Sequence, residues 1–182
     1  MQPEDSAVGP SRPPDLPRVI LRDPSPGDRE FLEFLGSPEV GGEWDSFDDP
    51  PEQLLRAQDF GGATQIVALD DATRVGCVSW IHVPYGPNTR SLAWSIGITI
   101  HPDFRGRRFA SSAQRLLAER LLRESPSNRV QADTDPENVA EQRALTRAGF
   151  VREGIARGAQ WRRGGWHDRV VFSLVRDDLA RQ

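Results

Sequence analysis

Three arginines and a glycine, at positions 105–108, stand between two segments of different periodicity. The run 94–100 before them is short, apolar and rich in β-branched residues, which predicts a buried strand. After them, apolar residues recur at three- and four-residue spacing through about Arg123, which predicts one face of a helix. These residues are Phe109, Ala113, Leu116, Leu117 and Leu121. A turn that opens a helix gathers free backbone N–H groups at the positive end of the helix dipole, so we expect an oxyanion or phosphate site there.

This turn and the segment after it resemble the GNAT superfamily of N-acetyltransferases. The acyl-coenzyme A loop of that family reads Arg/Gln-x-x-Gly-x-Gly/Ala; here Arg105 opens the motif, Ala110 closes it, and Arg108 stands at the middle glycine. The segment from Asn138 to Gly149-Phe150 is similar to the family's Asn-x-x-Ser…Gly-Phe helix. The C-terminal part resembles the branch that contains the ribosomal-protein N-terminal (alanine/serine) acetyltransferases.

The resemblance implies an acyl-coenzyme A co-substrate, most simply acetyl-coenzyme A, lying where the fourth and fifth strands splay apart. Backbone groups of the fourth strand would pair with the pantetheine arm and supply an oxyanion donor, and amides of 107–110 would hold the pyrophosphate. The enzyme would then align two substrates, polarise the thioester carbonyl and accept one proton. The implied donor-binding residues are Ile98, Ile100, Arg105, Gly106, Arg107, Arg108, Phe109, Ala110 and Asn138.

Arg108 departs from the family pattern. A side chain there replaces hydrogen where the backbone must approach a phosphate, which crowds the site unless the side chain points outward. Alternatively, its guanidinium adds a charged hydrogen bond to a phosphate. We expect Arg108 to point to solvent or to a phosphate, and Arg108→Gly to leave donor affinity within about tenfold, or 1.4 kcal/mol.

The proton-transfer residues that many family members carry are absent from their usual positions. Ser95 replaces a strand glutamate, Leu145 replaces a tyrosine, and Glu141 replaces the serine of the helix motif. The remaining catalytic candidates are Glu43, Asp45 and His167. The two acids could hold a cationic acceptor or relay its proton, with solvated loop charges as the alternative. His167 could form an imidazole–carboxylate pair with Asp168, although neighbours in a strand face opposite sides and a structural role at the start of a hairpin is the favoured interpretation.

The acceptor pocket is expected around the acidic, aromatic segment 41–51, in which apolar residues recur at neither helical nor strand spacing. Trp44 and Phe47 within it are the expected pocket walls. Ser95 on the fourth strand and Tyr85, the only tyrosine, are further candidates for the acceptor side. His101 beside the donor loop more plausibly caps that loop than catalyses.

Composition narrows the class of protein. The net charge of −4 argues against bulk attraction to nucleic acid, although all 23 basic residues are arginine and local clusters remain. The single cysteine, Cys77, excludes an intramolecular disulfide and a multi-cysteine metal site, and we expect a buried thiol. No apolar run approaches the ~20 residues of a membrane span, so a cytoplasmic protein without a metal or membrane partner is expected.

The resemblance implies an α/β (α+β) GNAT fold, with a mixed, mostly antiparallel sheet of about seven strands and about four helices, and the order of elements in the sequence is consistent with that fold. Residues 1–17 are expected to be a disordered leader and 18–182 a single domain. The strands are predicted at Arg18–Arg22, Thr64–Leu69, Val75–Val83, Leu92–Ile100, Arg129–Thr134, Phe150–Trp161 and Trp166–Val175. The helices are predicted around Phe31–Leu35, Pro51–Gln58, Phe109–Arg123 and Asn138–Ala148.

The resemblance implies an N-acyltransferase that acts on a primary amine by direct attack in a ternary complex. The acceptor is expected to be a peptide N-terminus or a small amine metabolite or antibiotic, and the protein a monomer or homodimer. One alternative keeps the fold but uses aminoacyl-tRNA as the donor of an amide-forming reaction. The other is a catalytically silent module that retains coenzyme A.

Overall fold

The computed structural model describes residues 16–42, 44, 60–70 and 72–180. Within these residues, seven strands form one sheet. They are β1 (Ile20–Arg22), β2 (Ala63–Ala68), β3 (Arg74–Pro84), β4 (Leu92–Ile100), β5 (Arg129–Thr134), β6 (Val151–Arg162) and β7 (Gly165–Val175). The helices are α1 (Arg29–Leu35), α2 (Pro38–Gly41), α3 (Phe109–Glu124), α4 (Val139–Arg147) and α5 (Arg176–Ala180). The predicted fold class is confirmed.

The sheet has the order β1-β2-β3-β4-β5-β7-β6. All neighbouring strands are antiparallel except β4 and β5, which run parallel. This parallel ladder holds only two residue pairs, Trp94 with Val130 and Ser95 with Gln131. Strand β4 continues to Ile100 along β3, whereas β5 turns toward β7. The two central strands therefore diverge at their C-terminal ends, as the family resemblance implied.

Helix α3 packs its apolar face against one side of the sheet. Its side chains Ala113, Leu117 and Leu121 are buried in one cluster with Trp94 and Val130 of the central strands. Burial of apolar surface contributes roughly 25 cal/mol per Å², so this contact stabilises the position of α3 on the sheet. Leu116, which we assigned to the same face, is instead 37% exposed, because the buried stripe follows 113, 117 and 121 and leaves 116 at its edge.

Several element boundaries differ from the prediction. β4 and β5 have the predicted bounds, whereas β1 begins at Ile20 and α4 at Val139, with Asn138 as its N-cap. The short helices α2 and α5 were not predicted, since four or five residues are too few to establish a helical period. The helix predicted at Pro51–Gln58 and nearly all of the predicted leader lie outside the described residues.

A buried carboxylate fixes the connection from β1 to α1. Asp28 is 1% exposed and accepts two hydrogen bonds from Arg22, each at 2.8 Å, and two more from the backbone and hydroxyl of Ser25 at 2.7 Å. Arg74 on β3 contacts the same carboxylate at 3.3 Å. The hydrogen bonds from Arg22 and Ser25 hold the pKa of Asp28 far below its usual range.

Replacing Asp28 should therefore destabilise the fold in a pH-dependent way. We expect Asp28→Asn to lower the free energy of unfolding at pH 7 by roughly 3 kcal/mol, because the guanidinium groups lose their buried partner. A lowered folded-state pKa stabilises the protein above the unfolded-state value of 3.8, and this contribution disappears as the pH falls through lower values. Urea denaturation from pH 7 to pH 3 measures the difference between wild type and variant.

The exposed Asp103 supplies a matched control, since its side chain is 83% exposed and Asp103→Asn should change stability little. If the free energies of unfolding of wild type and Asp28→Asn differ by the same amount from pH 7 to pH 3, the stabilising role of the ionised carboxylate is contradicted.

Candidate functional site

The loop between β4 and α3 presents a row of unpaired backbone N–H groups. Gly106 and Arg108 have φ of 76° and 64°, so the chain turns twice through the left-handed region before α3 begins at Phe109. Among the described residues, the amides of 106–111 donate to no carbonyl or side chain, and the first helical hydrogen bond runs from Ser112 to the Arg108 carbonyl. Since the dipole of α3 adds positive potential here, the loop suits an anion.

This loop is one wall of a cavity of about 660 Å³. The remaining walls come from α2 and the chain after it, from the end of β4, and from the outer side of α4. The lining residues that we predicted as donor-binding are Ile98, Ile100, Arg105, Gly106, Arg108, Phe109, Ala110 and Asn138. The other predicted donor residue, Arg107, does not line the cavity; its guanidinium lies 5.6 Å from the centre of the Phe104 ring. The cavity is large enough for an extended cofactor-sized ligand.

The cavity reaches the place where β4 and β5 diverge. Beyond Ser95, β4 pairs with β3 alone among the described strands, so the main-chain groups on its other edge are available to an extended ligand. The Ile100 carbonyl is already used, because it accepts a hydrogen bond from Nε of Arg105 at 3.1 Å. The available part of this edge is therefore centred on Ile98.

Arg105 also fixes the opposite wall. Its second guanidinium nitrogen donates to the Val40 carbonyl of α2 at 2.7 Å. The Arg105 side chain thus joins the end of β4, the loop between β4 and α3, and α2. The observed contacts of Arg105 are with carbonyl oxygens, so this arginine shapes the cavity by holding its walls together.

Asn138 faces the cavity from the N-terminus of α4. Its side-chain oxygen accepts from the Glu141 amide at 3.2 Å, which caps the helix. This leaves the Asn138 side-chain NH₂ to donate toward a ligand. Glu141, at the position of the family's serine, also lines the cavity, and its carboxylate accepts a hydrogen bond from Gln114 of α3. The cap ends the free N-terminus of α4, and the contact between Gln114 and Glu141 joins α4 to α3.

The opposite face of the sheet, away from α3, carries polar side chains near the divergence. Val130 and Ala132 of β5 are in the core, so by alternation Gln131 and Asp133 project to the other face. Asp133 lies two residues beyond the last β4–β5 pair and accepts from Nε of Arg169 at 2.5 Å. Its side chain is 33% exposed, and its second oxygen accepts no hydrogen bond from the described residues.

Sequence analysis did not single out Asp133. The alternation in Arg129–Thr134 indicated which residues would face away from the core, but the sequence does not indicate that this face adjoins the divergence. Knowledge of where the β4–β5 ladder ends is needed to select Asp133.

His167 lies in a charged cluster at the β6–β7 end of the sheet. Nδ1 of His167 is 3.2 Å from a guanidinium nitrogen of Arg162, whose guanidinium also pairs with the buried Asp135 and lies 5.8 Å from the Trp44 ring centre. An arginine can only donate, so Nδ1 is the acceptor in this contact. The other ring nitrogen of His167, Nε2, is then the atom that can donate a hydrogen bond. Asp168 points the other way and accepts from the Gly158 amide at 2.8 Å.

The structure separates the other predicted acceptor residues. Trp44 lines the cavity, whereas Ser95 and Tyr85 do not. The Tyr85 hydroxyl donates to Gln131, and its ring lies under the guanidinium of Arg129 at 5.1 Å. Glu43, Asp45 and Phe47 lie outside the described residues, so their assigned roles stay predictions.

Two other reactive side chains are engaged elsewhere. His101 accepts from the Asp103 amide at 3.3 Å and so caps the turn before the donor loop. Burial raises the pKa of the Cys77 thiol to about 11, so this thiol is not a ready nucleophile.

Among the described residues, no three His, Cys, Asp or Glu side chains are grouped as metal ligands. In the same part of the chain, no helix has the length and apolar character needed to cross a membrane.

Comparisons with known proteins agree with this geometry. Residues 18–151 match the sequence profile of the family described as acetyltransferase (GNAT) domain. The probable N-acetyltransferase YjcK of Bacillus subtilis is 28% identical over 113 residues, which is 62% of this chain and 61% of that protein. The chain thus spans about three fifths of the length of this relative.

Solved structures share the fold. RimJ of Mycobacterium smegmatis, in complex with CoA-disulfide, superposes with a TM-score of 0.73 at 20% identity, covering 88% of this chain and 83% of RimJ. Spermidine N-acetyltransferase of Vibrio cholerae, in complex with CoA and spermine, superposes with a TM-score of 0.69 at 19% identity. The superposition covers 89% of this chain and 98% of that structure.

The backbone at Arg108 generates a prediction about stability. A non-glycine residue at φ of 64° costs roughly 1 kcal/mol, so Arg108→Gly should be about 1 kcal/mol more stable than Arg108→Ala, which removes the same charge but keeps the conformation. Chemical denaturation of the two variants measures the difference.

The neighbouring Arg107 gives the control, since its φ is not positive and Arg107→Gly should be no more stable than Arg107→Ala. Equal stability of the two Arg108 variants would show that the left-handed conformation is not retained at this position.

Proposed function

The chain belongs to the GNAT acetyltransferase family, and from this premise we propose that it transfers an acyl group, most simply acetyl, from coenzyme A to a primary amine. The row of unpaired amides at 106–111 carries the proposal, because it meets the cavity at the positive end of α3. A pyrophosphate offers several anionic oxygens in a short span, which matches several N–H donors in a short span.

The residues of the cavity fit coenzyme A in three places. The amides of 106–111 would bind the pyrophosphate, the free edge of β4 near Ile98 would pair with the amides of the pantetheine arm, and the Asn138 side chain would donate to it from α4. Apart from the amide of Arg107, each contact uses a group of a residue that lines the cavity, and each group has hydrogen-bonding capacity left. The thioester would then lie at the divergence of β4 and β5.

The proposed reaction is a direct acyl transfer. The amine nitrogen attacks the thioester carbonyl carbon, the carbon–sulfur bond breaks, and the proton lost by nitrogen balances the thiolate that leaves. A β4 N–H near Ile98 would stabilise the oxyanion. The high pKa and burial of Cys77 support a ternary complex over an acyl-enzyme on that cysteine.

On the acceptor side, we assign Asp133 the binding of the ammonium group. It is the described carboxylate next to the divergence on the face away from α3, and Arg169 holds it in place while leaving one oxygen available. A positively charged amine, such as a polyamine or a peptide N-terminus, is complementary to that oxygen. His167 contacts Arg162 and does not line the cavity, so we assign it no role in proton transfer.

A charge reversal in the donor loop tests the proposed phosphate position. Ala110→Glu should reduce affinity for coenzyme A at least 100-fold, because a carboxylate in the first turn of α3 would repel the pyrophosphate. The same carboxylate favours the helix N-terminus, so the fold should be kept. Isothermal titration calorimetry gives the affinity, and the melting temperature checks folding.

Ala110→Gln is the matched control, since glutamine has nearly the size of glutamate without its charge. We expect it to bind coenzyme A within about tenfold of wild type. Unchanged affinity in Ala110→Glu would show that the pyrophosphate does not lie at this turn, whereas equal losses in both variants would attribute the effect to side-chain size and not to charge.

Turnover separates the proposed enzyme from the alternatives. Release of thiol from acetyl-coenzyme A, measured over a panel of polyamines, diamino acids and peptides with free N-termini, should be stimulated by at least one amine. Binding without turnover for the whole panel would favour the catalytically silent module. Salt-dependent binding of aminoacyl-tRNA, with no affinity for coenzyme A, would favour the tRNA-dependent alternative.

The assignment of Asp133 predicts a defect confined to the acceptor. With an amine found in that panel, Asp133→Asn should lower kcat/KM for the amine at least tenfold while the KM for acetyl-coenzyme A changes less than threefold. The control is Glu153→Gln, which removes another arginine-paired carboxylate farther from the divergence. Equal effects of the two substitutions on the amine would remove Asp133 from the acceptor site.

A further inference from the structure

Polar side chains follow one another along β5 on the sheet face away from α3, and the proposed reaction uses only one of them. Gln131 and Asp133 are neighbours on this face, with Cβ atoms about 7 Å apart. Gln131 is paired with Ser95 in the last β4–β5 pair, so it stands where the divergence begins. Gly97, the next residue of β4 on the same face, is exposed and has no side chain to close the space. The face is therefore open beside both polar groups.

Tyr85 and Arg129 fix the orientation of the Gln131 amide. The Tyr85 hydroxyl donates to Oε1 of Gln131, and Nε of Arg129 lies 3.4 Å from the same oxygen. Because an arginine can only donate, the atom beside Arg129 must be the amide oxygen, and the NH₂ group is the other end of the amide. Among the described residues, that NH₂ group donates to no acceptor. Gln131 thus presents oriented N–H donors two residues from Asp133.

The charges on this face are already paired, which favours an uncharged ligand group beside Gln131. Both terminal guanidinium nitrogens of Arg129 donate to Glu153, at 2.6 and 2.5 Å. Arg169 donates to the side chain of Asp133 and to its carbonyl oxygen. Each guanidinium is neutralised by a carboxylate, so the face suits a neutral carbonyl oxygen better than the carboxylate of a free amino acid.

Gln131 and Asp133 together match the N-terminal end of a peptide. The ammonium group would bind the second oxygen of Asp133, and the carbonyl oxygen of the first peptide residue lies beside that ammonium group. Hydrogen bonds of about 2.9 Å from the two side chains can bridge this spacing. We propose that Gln131, oriented by Tyr85, binds this carbonyl oxygen and selects peptide N-termini over polyamines. This proposal rests on the proposed function.

The selection follows from the cost of an unpaired donor. A polyamine has no oxygen atom, so a polyamine bound at Asp133 would cover the Gln131 NH₂ group without accepting its hydrogen bonds. A site built around a hydrogen bond rejects ligands that lack the partner. The preference therefore resides in one side chain that is separate from the group that binds the ammonium.

The test compares trialanine amide with an analogue in which a trans carbon–carbon double bond replaces the first peptide bond. The analogue keeps the ammonium group and the shape of the peptide but lacks the carbonyl oxygen. Gln131→Leu keeps nearly the size of the side chain and should lower kcat/KM at least tenfold for the peptide and less than threefold for the analogue. The KM for acetyl-coenzyme A should change less than threefold. If the amine panel identifies a better peptide, the pair is made from that peptide.

Tyr85→Phe tests the orientation of Gln131. It should lower kcat/KM for the peptide about threefold, because the amide loses the hydroxyl that holds it, and it should leave the analogue unchanged. In the Gln131→Leu background the same substitution should have no further effect, since the hydroxyl acts through the amide. Losses that add in the double variant would contradict this positioning role.

Two further variants separate a specific effect from a general one. Asp133→Asn should weaken the peptide and the analogue by the same factor, since both carry the ammonium group. Gln160→Leu removes another strand glutamine, which accepts from Arg169 at 3.0 Å, and should also affect both acceptors alike. Melting temperatures of all variants check the fold. If Gln131→Leu does not fold, Tyr85→Phe decides by the same comparison.

Equal losses for the peptide and the analogue in Gln131→Leu, or no loss for the peptide, would overturn the proposal. Acetylation of polyamines but of no peptide by the wild type would also overturn it, and the proposed function would stand. If the wild type acetylates no amine of the panel, the proposed function fails first.

Discussion

The site depends on one interruption of the sheet, the end of pairing between β4 and β5 after Ser95 and Gln131. Continued pairing would have used the free edge of β4 and closed the space between the two strands. Because the ladder ends, the loop after β4 opens into a cavity and the first amides of α3 face it. A long apolar helix face holds α3 against the sheet, so these amides are presented by a rigid element.

The same divergence gives the two proposed substrates different electrostatic surroundings. The cavity side offers backbone donors and a helix N-terminus, which favour phosphates. The other face presents Asp133, oriented by Arg169, which favours a cation. A thioester and an amine bound in this way would approach each other from opposite sides of one opening. Alignment would then supply much of the catalytic effect in the proposed reaction, which does not use a glutamate at Ser95 or a tyrosine at Leu145.

Periodicity was sufficient to predict the seven strands and the two long helices, since each spans enough residues for an alternating or helical pattern to be recognised. It could not predict α2 or the edge position of Leu116, which depend on tertiary packing. The family motif identified the loop, and the structure gives the backbone reason for its middle glycine, the positive φ that Arg108 adopts. Asp133 could not be predicted, because its significance comes from a ladder that ends two residues earlier.

Hydrogen–deuterium exchange of the β4–α3 loop tests the central claim most directly. The amides of 106–111 have no acceptor among the described residues, so they should exchange rapidly in the free protein. Saturating acetyl-coenzyme A should slow exchange there and along the free edge of β4, with little change in the β6–β7 hairpin. Unchanged exchange at 106–111 under conditions where acetyl-coenzyme A is bound would contradict the account.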